Sequence, residues 1–269
     1  MSSPARRLGL LSLVFALGAL LLPAATLAAD TSSTAVSAAE SRALTLINAE
    51  RTERGLVALR LDSRLEKIAG ARASYMASTG VFSHTEKDGD NVFDRIEAAD
   101  ITWYGAGEII AWNTVSDLDG SADYAAQAWM NSSGHKAIII SKDYNYVAFG
   151  LAVASNGRRY WAGVFMKGPD RTGAWAKVAD VSKSRVSSSY SKVTISWGGA
   201  DTKLQVLTAG LRDFQFQRRR DGGSWVDSGT TTATSYTKNW WVGHVYELRV
   251  RARDKNGNWG GWKYVTVKP

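Results

Sequence analysis

Residues 144–167 read YNYVAFGLAVASNGRRYWAGVFMK, and this stretch decides the fold. Two strand-like runs, YNYVAFGLAVA and RRYWAGVFMK, flank a Ser-Asn-Gly turn. Asn156 and Gly157 tolerate the positive φ that a tight hairpin turn demands, so the spacing predicts an antiparallel pair. The segments before it are helical. In SRALTLINAERTERGL (41–56), Leu44, Ile47 and Arg51 share a face, and Gly55 is placed to stop the helix. In LRLDSRLEKIAGARASYMASTG (59–80), Asp62 caps the start and Gly80 ends it, with Leu65, Ile68, Ala69, Arg72, Tyr75 and Met76 as a broad inner stripe. SADYAAQAWMNSSG (121–134) is a third helix, with Ser121 as its cap and Tyr124, Ala128 and Trp129 inward. Amphipathic helices over an antiparallel hairpin predict an α+β sandwich. A repeated βαβ pattern and a phosphate-cradling glycine loop are both missing, which excludes a parallel nucleotide-binding sheet.

The groups able to do chemistry are few. The chain has three histidines: His84 in the loop VFSHTEKDGD, His135 after the third helix in AWMNSSGHKAIII, and His244, which reads as an exposed turn residue. Glu108 stands between Gly107 and two isoleucines, and a carboxylate in such core-like company needs a partner or takes up a proton. There is no cysteine, so a thiol nucleophile and a thiolate metal site are excluded and the fold stands on packing alone.

Taken in order, LINAERTERGL, FSHT, GAGEIIAWN, AWMNSSGHKAIII, NYVAFGLAVA and YWAGVF resemble the CAP superfamily of cysteine-rich secretory, antigen 5 and pathogenesis-related class 1 proteins, in its cysteine-free bacterial branch. The resemblance spans about residues 40–168 and implies a CAP-type α-β-α sandwich with an antiparallel central sheet. It also implies a cleft lined by two histidines and two acids. Carried over, His84 takes the first histidine, Glu108 the first acid and His135 the second histidine. The second acid falls on Ser132, with Gln127 and Asn131 nearby and also neutral. Three of the four residues are therefore kept.

Two imidazoles and one carboxylate suit a divalent cation, zinc or calcium, with an open position for water. The same set, without a metal, is a polar frame for a cleft whose charge changes near neutral pH. Hydrolysis is the competing reading, metal-dependent or serine-type. It is poorly served, because Ser83, Ser132 and Ser133 adjoin histidines in sequence without any sign that they face them. Lipid or another small apolar ligand is what the resemblance implies for many relatives. Trp103 and Tyr104 are the surface candidates for such a ligand, whereas Trp129 and Trp161 read as packing residues.

The ends of the chain carry separate messages. Arg6 and Arg7 followed by LGLLSLVFALGALLLPAA make residues 1–29 a signal peptide, and 30–39 a short polar leader. Nothing later resembles a membrane span, so the expected location is secreted or extracellular, with cell-wall association as an option. After residue 168 comes a Gly-, Pro- and Ser-punctuated linker, 169–184. Residues 185–269 then read as an all-β, immunoglobulin-like sandwich resembling a fibronectin type III domain, with Trp197 as an early core residue and Tyr246, Leu248 and Val250 alternating inward. From Lys183 onward there are 15 basic and 6 acidic residues. Arg218, Arg219 and Arg220 with Trp225, Trp240 and Trp241 form a candidate face for polysaccharide or an anionic cell-wall polymer. No nucleic-acid motif is present. The combined expectation is a secreted ligand-binding or cell-envelope interaction module rather than an enzyme.

Overall fold

The computed structural model describes residues 32–269. The signal-peptide expectation, 1–29, lies outside the described residues. Helix α1 (Ser33–Thr52) begins where Ser32 accepts the Ala35 N–H, and it buries Ala39, Ala43, Ile47 and Arg51 at intervals of four. Residues 33–39, expected as part of a leader, are thus its first two turns. Small side chains at this end let the helix lie close on the sheet, a packing role that polarity alone hides.

A two-residue strand β1 (Arg60–Leu61) precedes α2 (Ser63–Thr79), which Asp62 caps and Gly80 ends in the left-handed conformation. A capping box of Asn91 and Asp94 starts the short α3 (Val92–Ala98). Strand β2 (Gly105–Asn113) leads to α4 (Leu118–Asn131) and α5 (Ser133–Ile139), and β3 (Tyr146–Val153) and β4 (Arg159–Lys167) form the expected hairpin. Two details of α4 differ from expectation. Asp117 is the cap, because Ser121 is buried and accepts the Trp161 Nε1–H at 2.9 Å. Tyr124 is exposed, and the inner face is Ala122, Ala125, Ala126 and Trp129.

The four strands lie in the order β1-β3-β4-β2, antiparallel except for β1 beside β3. Alternation sorts their side chains between two helical layers. Val147, Phe149, Leu151, Trp161 and Phe165 pack under α1 and α4, where Trp129 stacks on Phe149 and meets Trp161 edge-on. Ala148, Val164 and Met166 turn the other way, toward Leu65, Ile68 and Ala69 of α2. Gly150 permits that approach, because a Cβ there would run into the Ala69 carbonyl.

The C-terminal part has seven strands: β5 (Trp175–Arg185), β6 (Tyr190–Ala200), β7 (Leu211–Arg220), β8 (Val226–Thr231), β9 (Ser235–Trp241), β10 (Tyr246–Asp254) and β11 (Lys263–Val267). They form a sheet β5-β6-β9 and a sheet β11-β10-β7-β8 around Val193, Ile195, Trp197, Phe214, Phe216, Leu248 and Val250. This two-sheet sandwich is in keeping with the fibronectin type III-like expectation. Its first strand occupies most of the segment read as linker. Ala174 and Ala176 are buried in its core, while the outer face of β5 is polar and serine-containing, which is what made it look like a hinge.

The two halves are locked together by the loop between β6 and β7. Leu204 is buried among the α2 and α3 residues. Gln205 Oε1 accepts the Val57 N–H at 2.8 Å, and Asn145 donates to the carbonyls of Gly168 and Val206. At this junction Asp170, Asp201 and Asp254 bring carboxylate oxygens within 4.8 Å of one another. Backbone or side-chain donors of Thr172, Ala209, Thr202, Gly210 and Asn258 hold them.

Candidate functional site

Four elements meet at a cleft of about 410 Å³ lined by His84, Thr85, Asn91, Val92, Phe93, Ala106, Gly107, Glu108, Ile138 and Tyr144. Glu108 and His84, on its polar side, are the cleft-facing end of a line of alternating charge. Glu108, on β2, accepts from Arg72 Nε at 2.7 Å and from His84 Nδ1 at 2.8 Å. Arg72, in the middle of α2, also donates to Glu86 at 2.7 Å and to the Ser83 carbonyl at 2.7 Å. Glu86 in turn receives a two-pronged contact from Arg95 of α3, at 2.9 and 2.7 Å. Arg72 is fully buried and both carboxylates nearly so, whereas the His84 side chain is 55% exposed. Burial pushes the Glu86 carboxyl up, but the hydrogen bonds and charges of Arg95 and Arg72 outweigh it and hold the carboxyl below its ordinary range.

A buried arginine between two acids fixes where the chain must go. It ties α2, the loop 83–91, α3 and β2 into one frame, since moving any member breaks an ion pair to a buried carboxylate. Its apolar lining is Val92 and Phe93 of α3, Ile138 of α5 and the Tyr144 ring. Tyr144 donates to the Ala106 carbonyl at 3.1 Å, and a Cβ on Gly107 would lie 2.9 Å from its hydroxyl. Trp103 stacks on Phe93 at 5.9 Å and is partly buried, so it backs the rim, while Tyr104 is largely exposed beside it.

His135 sits on the short helix α5 that follows α4. Burial, and after it the like charge of His84, lowers its pKa below the ordinary value. It is not among the residues lining the cleft and takes no part in the Glu108 hydrogen-bond line. Ser132, at the degenerate fourth position, is the α5 cap residue and makes no side-chain cap bond.

The divalent-cation expectation does not fit this arrangement. Both Glu108 oxygens are engaged, and a guanidinium at 2.7 Å already supplies the positive charge a metal would bring. Among the described residues, the junction aspartates Asp170, Asp201 and Asp254 are the three-ligand group whose atoms lie within 4.8 Å. His84, Glu108 and His135 do not form one.

Residues 44–165 match the sequence profile of the cysteine-rich secretory protein family, CAP. These residues are a CAP domain. The CAP segment is 32% identical over 128 residues to the uncharacterized membrane protein YlbC of Bacillus subtilis, covering 48% of this chain and 34% of that protein. It is 32% identical over 115 residues to the uncharacterized protein YkwD of the same organism, covering 43% of each. The chain thus spans less than half the length of either relative. Among solved structures, an outer surface protein of Borrelia burgdorferi aligns with 22% identity and a TM-score of 0.45, over 49% of this chain and 95% of that one.

The motifs alone did not single out Tyr144, which lines the cleft, or Arg72, Glu86 and Arg95, which stand behind Glu108 and His84. Arg72 had left a signal: an arginine in the inner stripe of a helix must find carboxylates. Outside the CAP domain, the expected basic, aromatic face is not brought together as one surface. Trp240 is a core residue, 3% exposed and stacked on Tyr246 at 4.4 Å. The run of two tryptophans at a strand end alternates faces, so burying Trp240 turns Trp241 outward, where it meets Tyr190 at 4.3 Å. Arg218 leans toward Tyr236, Arg219 stacks on Trp225, and Arg220 ends the strand in solvent. His244 is half exposed and pairs with Asp221 at 2.6 Å.

Proposed function

We propose that the protein is a secreted binding module of the cell envelope whose CAP cleft takes a small, partly apolar ligand. The observation that carries this reading is the state of Glu108: it faces the cleft with its charge already neutralised by Arg72 and oriented by His84. A carboxylate acting as base must take up a proton and one ligating a metal must turn an oxygen to it, whereas both Glu108 oxygens already accept hydrogen bonds from Arg72 and His84. Ser83 Oγ accepts the Thr85 N–H at 3.1 Å, a local turn contact rather than a nucleophile's arrangement. What remains is a pocket lined by apolar side chains with a few polar groups, the usual make-up of a small-molecule site.

Secretion rests on the N-terminal sequence. Among the described residues no helix is long and apolar enough to cross a membrane. The test is a titration of the full mature chain with a fatty acid, a sterol and a short amphiphile, read by calorimetry and by amide shifts of residues 83–93 and 105–108, with zinc and calcium as parallel arms. Saturable binding of an amphiphile, abolished when Gly107→Val fills the cleft floor, supports the reading. Stoichiometric metal uptake lost in Glu108→Gln, or no amphiphile bound below about millimolar concentration, sinks it.

A further inference from the structure

A stack of seven side chains crosses the outer face of the sheet β11-β10-β7-β8. Arg249, Arg251 and Arg253 occupy alternate positions of β10 and so project from one side, while Leu248, Val250 and Ala252 fill the core. Guanidiniums and indoles then alternate. Arg219 lies over Trp225 at 4.6 Å, and Arg249 contacts Trp225 at 4.3 Å and Trp262 at 4.5 Å. Arg251 contacts Trp262 at 4.5 Å and Trp259 at 4.3 Å, and Arg253 closes the row over Trp259 at 4.6 Å. All fall within the range of cation–π attraction.

The edges of the four guanidiniums are not equivalent. The outer two are neutralised by two-pronged carboxylates, Arg219 by Glu247 and Arg253 by Asp213. The inner two are held by amides: Arg249 donates twice to Gln217 Oε1 and Arg251 twice to Gln215 Oε1. Two positive charges whose direct partners are neutral therefore stand about 7 Å apart along one strand, with Asp227 behind the amides, 2.6 Å from Gln215 Nε2.

We propose that this stack is a docking strip for a linear phosphodiester polymer, held through its phosphates. The proposal is independent of the cleft. Three features of the strip select that partner. The excess of basic over acidic residues from Lys183 onward draws in a polyanion. The stacked indoles and amides hold the guanidiniums in place, so little side-chain freedom is lost when a phosphate arrives. Each indole already carries two guanidiniums, so no ring is left to stack on a sugar or a base, which disfavours a neutral glycan and base-dependent binding of nucleic acid. An alternating row of charge suits a chain with regularly spaced phosphates, as in a poly(polyol phosphate) of the envelope.

The test uses the full mature chain and synthetic poly(glycerol phosphate), with a neutral glycan, single-stranded DNA and anionic-lipid vesicles as comparison arms, at several salt concentrations. Two substitutions move the charge of the stack in opposite directions, and Gln217→Glu also sets a carboxylate opposite Asp227, its cross-strand partner. Gln217→Glu neutralises Arg249 and should weaken binding at least about three-fold. Glu247→Gln frees Arg219 and should strengthen it by a similar factor. With two phosphates engaged, the logarithm of affinity should fall with that of salt at a slope of about −1.4, steepening by about 0.7 in Glu247→Gln. Thermal unfolding and near-ultraviolet dichroism of both variants check that the stack persists. Unmoved affinity in both variants, equal binding of the neutral glycan, tighter binding of DNA than of the base-free polymer, or binding to vesicles alone would each overturn the proposal.

Discussion

Arg72→Met tests whether the alternating charge line holds the CAP domain together. The side chain is fully buried, with its donors 2.7 Å from Glu108, Glu86 and the Ser83 carbonyl. Removing it leaves two carboxylates in a dry site, for which breaking a buried pair costs about 3–5 kcal/mol. Arg95 still reaches Glu86 and His84 still reaches Glu108, which places the expectation at the lower end, about 3 kcal/mol. For a urea m-value of about 2 kcal/mol/M, that is a midpoint shift of about 1.5 M in the CAP transition. Protonation should erase much of it. A carboxyl whose folded pKa is depressed, as Glu86 is, contributes stability above the unfolded value of about 4.5 and loses it as pH falls through the folded value. The gap between wild type and variant is therefore widest at neutral pH and narrows below about pH 4.5. Adding Glu108→Gln should restore part of the loss, because one of the two stranded charges is gone. A loss under about 1 kcal/mol, or one unchanged between pH 7 and about pH 3, would refute the reasoning.

Three other perturbations follow from the same structure. His135, with its pKa lowered by burial and by His84, should titrate below about 6.5 by nuclear magnetic resonance. Stability that is full above that value should decline as pH falls through it, and His135→Gln should flatten the decline in denaturant titrations between pH 7 and pH 5. Gly150→Ala sets a methyl against the α2 backbone and should cost about 3 kcal/mol or more, seen as a lower midpoint of unfolding, whereas Gly134→Ala, in open space, should leave it nearly unchanged. Trp240→Ala should cost about 3–5 kcal/mol and Trp241→Ala under about 1, which calorimetric unfolding of the two variants separates.

The architecture was largely legible because its signals are local. The Asn156-Gly157 hairpin, the Asp62 cap and the Gly80 stop each depend on a few neighbouring residues, and all three stand where the sequence placed them. Misreadings arose where tertiary packing decides. Tyr124 and Trp240 look alike in a hydrophobic count, yet α4 turns the first to solvent and the sandwich swallows the second. Strand β5 was hidden by its own exposed face. At the cleft, His84 and Glu108 were visible as residues, but their meaning came from Arg72, which lies 12 and 36 positions away in the chain. Which cation neutralises a carboxylate is a fact of three-dimensional neighbourhood, and spacing along the chain does not carry it. The indole–guanidinium stack escaped for the same reason, since Trp225, Trp259 and Trp262 meet only across strands.

The loop carrying Leu204 and Gln205 bears on how freely these two halves can be shuffled. A recombination that cuts the gene near residue 168 separates Leu204 from the α2 and α3 residues it packs among and takes Gln205 away from the Val57 N–H. Asn145 would lose the Val206 carbonyl at the same stroke. A cassette boundary drawn by homology would thus run through a shared piece of core. Any chimera that replaces the C-terminal sandwich has to bring its own counterpart of that loop, or carry residues 201–210 along with the CAP domain.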